Sequence, residues 1–213
     1  MANFEQFVDE NPSKAGIQFL RFNKFGVWTY GQEGAQVLEE DRFVAQMNTM
    51  SQGWICWKGG RPVDEKMSTI SSGVRIPAAE LDDHGPYQSS SEGWKPQVSV
   101  MFRNLDNNEL LQYGTTSMGG KNALKGLSST FVNQLRDGGD NFPVVQLETD
   151  HYMHKTNGKI FVPVVKVVDW INPDTGALES QEKSKPEVVV EDNVIENVIE
   201  GEVVQKKRRK VTV

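Results

Sequence analysis

A mainly β domain, a barrel carrying one helix, is the fold class this chain predicts, and three features predict it. A long segment of period-two alternation runs into a glycine, a single helical segment flanked by glycine pairs interrupts the strands, and the patterned region closes on two strands joined by Asn-Gly. Read together they give an OB-fold-like, five-stranded Greek-key barrel over residues 41–172, with the helix between its third and fourth strands.

The elements follow in order. In "RFVAQMNTMSQGWICWK" the residues Phe43, Ala45, Met47 and Thr49 recur at period two, and Gly53 then reads as a bend or bulge in one long strand. "RPVDEKMSTI" and "QVSVMFRN" are short strands, and "ELLQYGTTS" pairs back through "LDNNE", whose adjacent asparagines suit a turn. In "GGKNALKGLSSTFVNQLRDGG" the period changes to that of a helix, with Leu124, Leu127, Phe131 and Leu135 on one face. Last come "PVVQLETDHYMH" and "KIFVPVVKVVDWI" around Asn157-Gly158. The final strand is apolar on both faces, which places it centrally, with a bulge at Pro163.

Composition sets the flanks. Residues 1–40 form an N-terminal extension or hairpin packed on the barrel, and residues 173–213 a flexible acidic tail that ends in the basic cluster "KKRRK". Residues 1–178 hold 16 Lys and Arg against 21 Asp and Glu, which counts against a binder driven by phosphate neutralisation alone but leaves room for a local basic groove. The one cysteine, Cys56, excludes a disulfide framework and multi-cysteine zinc sites and fits a cytoplasmic protein. No run reaches the roughly 18 apolar residues of a membrane span.

Chemistry is sparse. "GTTSMGGKN" nearly matches a phosphate loop, but its spacing is one residue too long and Asn122 stands where Ser or Thr would bind magnesium. A weaker expectation survives there, one backbone phosphate held at Gly119, Gly120 and Lys121. His151 and His154 point to opposite faces of a strand and cannot share an ion. No nucleophile stands beside a histidine, so the expectation is a non-enzymatic protein without metal or cofactor.

Aromatic residues beside cations supply the positive signal. Trp54 and Trp57 point to opposite faces of the strand, so one can be core and the other exposed next to Lys58 and Arg61. Trp94, Lys95, Arg103, Tyr113 and Lys121 extend the same candidate surface, which would stack unpaired bases and hold their phosphates.

The segments "GWICWKGGRPVDEKM", "SMGGKNALKGLSSTF" and "FPVVQLETDHYMHKTNGKIFVPVVKVVDWI" resemble tailed-phage and prophage proteins, and the plan is similar to that of phage single-stranded DNA-binding proteins. The resemblance implies a protein of replication or recombination in the host cytoplasm, with single-stranded DNA as partner and replication or host proteins reached through the tail. A homo-oligomer is compatible with it. The chain departs from that family at its end, "KKRRKVTV" rather than an acidic run with a terminal aromatic. The competing expectation is a phage interaction or anti-defence module that binds a host protein or small ligand and no nucleic acid.

Overall fold

The computed structural model describes residues 16–179, and in them nine strands and one α-helix build a mainly β fold. The strands are β1 (Ile17–Phe22), β2 (Trp28–Tyr30), β3 (Ala35–Gln36), β4 (Phe43–Lys58), β5 (Arg61–Thr69), β6 (Gly93–Asn104), β7 (Leu110–Thr115), β8 (Phe142–His154) and β9 (Gly158–Ile171), with α1 (Met118–Arg136) between β7 and β8. They form one sheet, ordered β3-β2-β1-β7-β6-β4-β8-β9 with β5 also paired to β4, and it curls into a half-barrel. Most of the expected tail, from residue 180 on, and the "KKRRK" cluster lie outside the described residues.

Strand β4 organises the sheet because it changes partner along its length. Its first residues pair with β6 and β8, and from Ser51 onward it pairs with β6 and β5. The irregularity needed for that change falls between Gln46 and Ser51, and not at Gly53 as the glycine suggests. There Thr49 Oγ1 donates to Gln46 O at 2.7 Å and accepts from Met101 N at 3.0 Å, tying the bulge to β6. Gly53 stays in register with Met67 and Gln97, and it is glycine for another reason: an added Cβ would lie 2.0 Å from the Lys66 carbonyl oxygen.

The interior face is built by alternation. Phe43, Ala45 and Met47 of β4, Val100 and Phe102 of β6, Leu111 and Tyr113 of β7, and Val145 and Leu147 of β8 meet Leu124 and Leu127 of α1. The helix starts because Ser117 caps it, its Oγ accepting from Gly120 N at 3.1 Å. Its apolar face is shorter than the sequence suggests: Phe131 packs only partly, edge-on to Phe142, and Leu135 is 46% exposed.

Residues 17–36 are part of the same sheet. β1 lies parallel to β7, and its hairpin with β2 gives Leu20 and Trp28 to the core. The hairpin tip reaches the opposite wall, where Trp28 Nε1–H donates to Glu148 O at 2.8 Å and Thr149 Oγ1 donates to Gly26 O at 2.7 Å. Gly26, at φ +80°, leaves space that the Phe161 ring fills.

β9 is an edge strand and not a central one. Its apolar residues on both faces have two causes: Val165 and Val167 pack on the core, and the start of α1 lies against Val162 and Pro163 at Gly119. An edge position also removes the need for a bulge at Pro163, which pairs with Thr149 in regular register. The shift in that ladder sits between Val144 and Val145 instead.

Candidate functional site

The long segment between β5 and β6 decides which of the expected site residues are available. Residues 70–92 cross the interior face of β4, β5 and β6 where α1 does not reach, and polar side chains hold them there. Trp54 Nε1–H donates to Ile76 O at 2.9 Å, and Trp94 Nε1–H to Asp82 O at 2.8 Å. Lys58 Nζ donates to His84 O at 2.7 Å and Lys66 Nζ to Asp82 Oδ2 at 2.6 Å, while Lys95, opposite Ile55 and so on the other face, reaches back with Nζ to Ser90 O at 2.9 Å. His84 Nε2 lies 2.9 Å from Asp64 Oδ2, with its ring tilted over Trp94. Cys56 is buried beneath, its Sγ 3.6 Å from the Tyr87 hydroxyl.

The electrostatics of this strap have a sign. The Lys66 ammonium holds the Asp82 carboxyl below its ordinary range, and the backbone N–H groups of Gln88 and Gly59 do the same for Glu92. A carboxyl whose folded pKa is depressed contributes stability above its unfolded value near 4, and that contribution is lost as pH falls through the folded value. Lys66 is raised by the same pair, so its share is complete below its unfolded value and is lost only in strong alkali. Asp82 is exposed and Lys66 and Glu92 are only partly buried, so the effect is small and local. Between pH 6 and pH 3, amide exchange in residues 78–92, corrected for intrinsic rates, is expected to accelerate a few-fold while amides of β4 and β6 hold. Equal acceleration in strap and sheet would show that these pairs do not anchor the segment.

On the opposite, open face the same strands form a trough of about 630 Å³. Phe19 and Arg21 of β1, Gln112 and Gly114 of β7, Gln97 of β6, Ile55 and Trp57 of β4, and Pro62 and Glu65 of β5 line it, and Leu20, Phe22, Tyr113 and Thr115 of the same strands, with Ser117, also border it. Strand alternation explains the set: Ile55 and Trp57 share the face that Trp54 and Cys56 do not. The register step between Cys56 and Trp57 then brings Pro62 opposite the indole. Gln97 Nε2 donates to Glu65 Oε1 at 2.6 Å across the floor. Arg21 sits over the Phe19 ring at 5.9 Å while donating to Gly31 O. Phe19 is 52% exposed and lines the trough from β1, three strands from Trp57; through Gln112 it is in register with Met101 of β6, eight residues from Gly93, the partner of Trp57, so the two aromatics are offset along the strands as well as across them.

The expected residues therefore separate. Trp57 and Tyr113 both line the trough, Trp57 half-buried and Tyr113 from its floor. Trp54, Lys58, Trp94 and Lys95 are engaged by the strap, and Tyr113 is 3% exposed with its ring edge-on to Trp28 at 5.0 Å, its hydroxyl raised in pKa by burial. Arg61 is exposed at the β4–β5 turn, paired with Lys58. Arg103 is exposed on β6 ten residues beyond Gly93, the partner of Trp57, or about 30 Å along the strand. Trp57, Lys58, Arg61 and Arg103 thus do not converge.

Lys121 belongs to a second depression, beside α1 on the other face, with Lys125 and Arg136. A phosphate at the start of α1 finds little to bind, because Gly120 N is used by Ser117 Oγ and Lys121 N by Ser117 O. The two glycines serve packing: a Cβ on Gly120 would lie 2.3 Å from Thr115 Oγ1. His154 caps its own turn, Nδ1 accepting from Thr156 N and Asn157 N. Among the described residues no His, Cys, Asp and Glu group has the geometry to hold a metal, and no helix is long and apolar enough to cross a membrane.

Sequence reasoning missed Phe19, Arg21, Gln97, Gln112 and Glu65. The signal for the first two was present in "IQFLRF", where an aromatic and an arginine share one face of an alternating strand. No protein-family model matches this chain, and neither a curated protein nor a solved structure is significantly similar to it.

Proposed function

We propose that this chain is a phage-type single-stranded DNA-binding protein of replication or recombination, which lays unpaired bases in the open-face trough. The observation that carries the reading is the trough itself, lined by the aromatic residues Trp57 and Phe19, with Arg21 over the Phe19 ring. The strand path supports it. β7-β6-β4-β8-β9, with α1 between β7 and β8, follows the pairing order of an OB-type barrel, in which the first strand pairs with the second and the fourth. Such barrels bind oligonucleotides on their second and third strands, and β6 and β7 hold those places here and floor the trough. β1 takes the edge of β7 on which a closed barrel would pair its fifth strand.

Stacking dominates in this reading, since few cations reach the trough and Glu65 stands in its wall. The protein acts by binding alone, in the cytoplasm of the host, without metal or cofactor. Titration of the full chain with an unpaired 20-nucleotide oligonucleotide tests it. The expected result is binding with a shallow salt dependence, about −0.7 in log K per log salt for each phosphate contact. The carboxylate in the trough favours the rival, a module for a host protein or small ligand. No affinity for the oligonucleotide at low salt would overturn the DNA reading in its favour.

A further inference from the structure

The depression beside α1 differs in chemistry from the trough. It has a volume of about 430 Å³ and an apolar floor of Met50, Ile70, Val98 and Val132. Lys121, Lys125 and Arg136 line it, and among the described residues no carboxylate does. None of these three cations makes an ion pair among the described residues. Residues 121, 125, 132 and 136 follow helical spacing, so the basic and apolar groups run as one stripe about 22 Å long. Ile70 and Val132 remain substantially exposed, at 42% and 37%. A basic rim over an apolar floor fits a ligand that alternates acids with aliphatic side chains.

The chain contains such a segment. "EVVVEDNVIENVIEGEV", residues 187–203, places Glu187, Glu191, Asp192, Glu196, Glu200 and Glu202 among valines and isoleucines, with no lysine or arginine. The described chain also ends next to the groove. Glu179 shares a neighbouring depression with Asn133 of α1, and Asn133 lines the basic groove as well. Seven residues, 180–186, separate Glu179 from Glu187, and the eight steps between the two span up to roughly 28 Å when extended.

We infer that the α1 groove is the docking site of residues 187–203 of the same chain. Val194, Ile195, Val198 and Ile199 supply the apolar contacts, and the acids meet Lys121, Lys125 and Arg136. The groove lies on the interior-face side of β4 and β6 while the trough lies on the open face, so the docked segment covers the helix and leaves the trough free. This inference does not rest on the DNA reading. It does specify that docking at α1 does not compete with a strand in the trough.

Disulfide trapping in the full chain tests it, since Cys56 is buried and stays out of the reaction. Ser128→Cys, in the groove, is combined with Ile195→Cys; Asn107→Cys, on the exposed β6–β7 turn, replaces it as the control. The expected result is an intramolecular disulfide at 128/195 that forms at least tenfold faster than at 107/195. It should be slowed by 1 M salt and by Lys121→Glu with Lys125→Glu. Equal rates for the two pairs, or trapping insensitive to charge reversal, would overturn the proposal. A disulfide only between chains would replace the tethered segment by that of a second copy. If Lys121→Glu with Lys125→Glu instead lowers oligonucleotide affinity as much as loss of Trp57 does, the groove belongs to a nucleic-acid strand and the proposal fails.

Discussion

Phe102→Ala is expected to lower the free energy of unfolding by about 3 to 5 kcal/mol, read as a shift of the denaturant midpoint at unchanged slope. Phe102 is 0% exposed, edge-on to Phe43 at 6.5 Å, and sits on β6 where that strand pairs with both β4 and β7. Truncation removes its transfer energy and leaves a cavity whose walls are held by two strands and α1, so little relaxation can fill it. Phe131→Ala makes the comparison. That ring is only partly buried on the C-terminal half of α1, beside Phe142, so its truncation should cost clearly less. Equal shifts for both variants would mean that the helix packs further along its length than this core implies.

The contrast between the two phenylalanines marks how far the sequence carried the fold. Helical periodicity identified the face of α1 that holds Leu124 and Leu127, because a 3.6-residue repeat is a local property. It could not say where the sheet beneath the helix stops, which depends on strands more than twenty residues away, and Leu135 is exposed for that reason. The same limit applies to β9. Apolar residues on both faces were legible, yet burial on two faces is reached here at a sheet edge, through α1 and the β1–β2 tip. Gly53 gives a third case: the glycine signalled a constraint, and the constraint is close approach of the Lys66 carbonyl rather than a bend.

The site was legible only in part, again for a physical reason. Alternation around Cys56 correctly separates the two indoles onto opposite faces, and that follows from strand geometry alone. Nothing local says that residues 70–92 fold back over one of those faces and engage Trp54, Lys58 and Trp94. Nor does any local pattern bring Phe19 into the same trough as Trp57, since that placement needs the parallel pairing of β1 with β7, a contact across about ninety residues.

Trp57 and Trp54 therefore give opposite expectations from positions three residues apart on one strand. Trp57→Ala should weaken binding to an unpaired oligonucleotide by about 1 to 3 kcal/mol, roughly 5- to 150-fold, as expected when a stacking ring is removed. Because Trp57 lies half-buried in an open trough, its loss should affect stability much less than Phe102→Ala does. Trp54→Phe keeps a ring but deletes the N–H that donates to Ile76 O, so it should loosen the strap and cost about 0.5 to 1.5 kcal/mol of stability. Its effect on oligonucleotide affinity should be negligible, since the indole faces away from the trough. Paired measurements, denaturant midpoint and oligonucleotide titration on each variant, separate the two roles. A binding loss in Trp54→Phe with none in Trp57→Ala would place the nucleic-acid surface on the strap side of β4 and remove the trough from consideration.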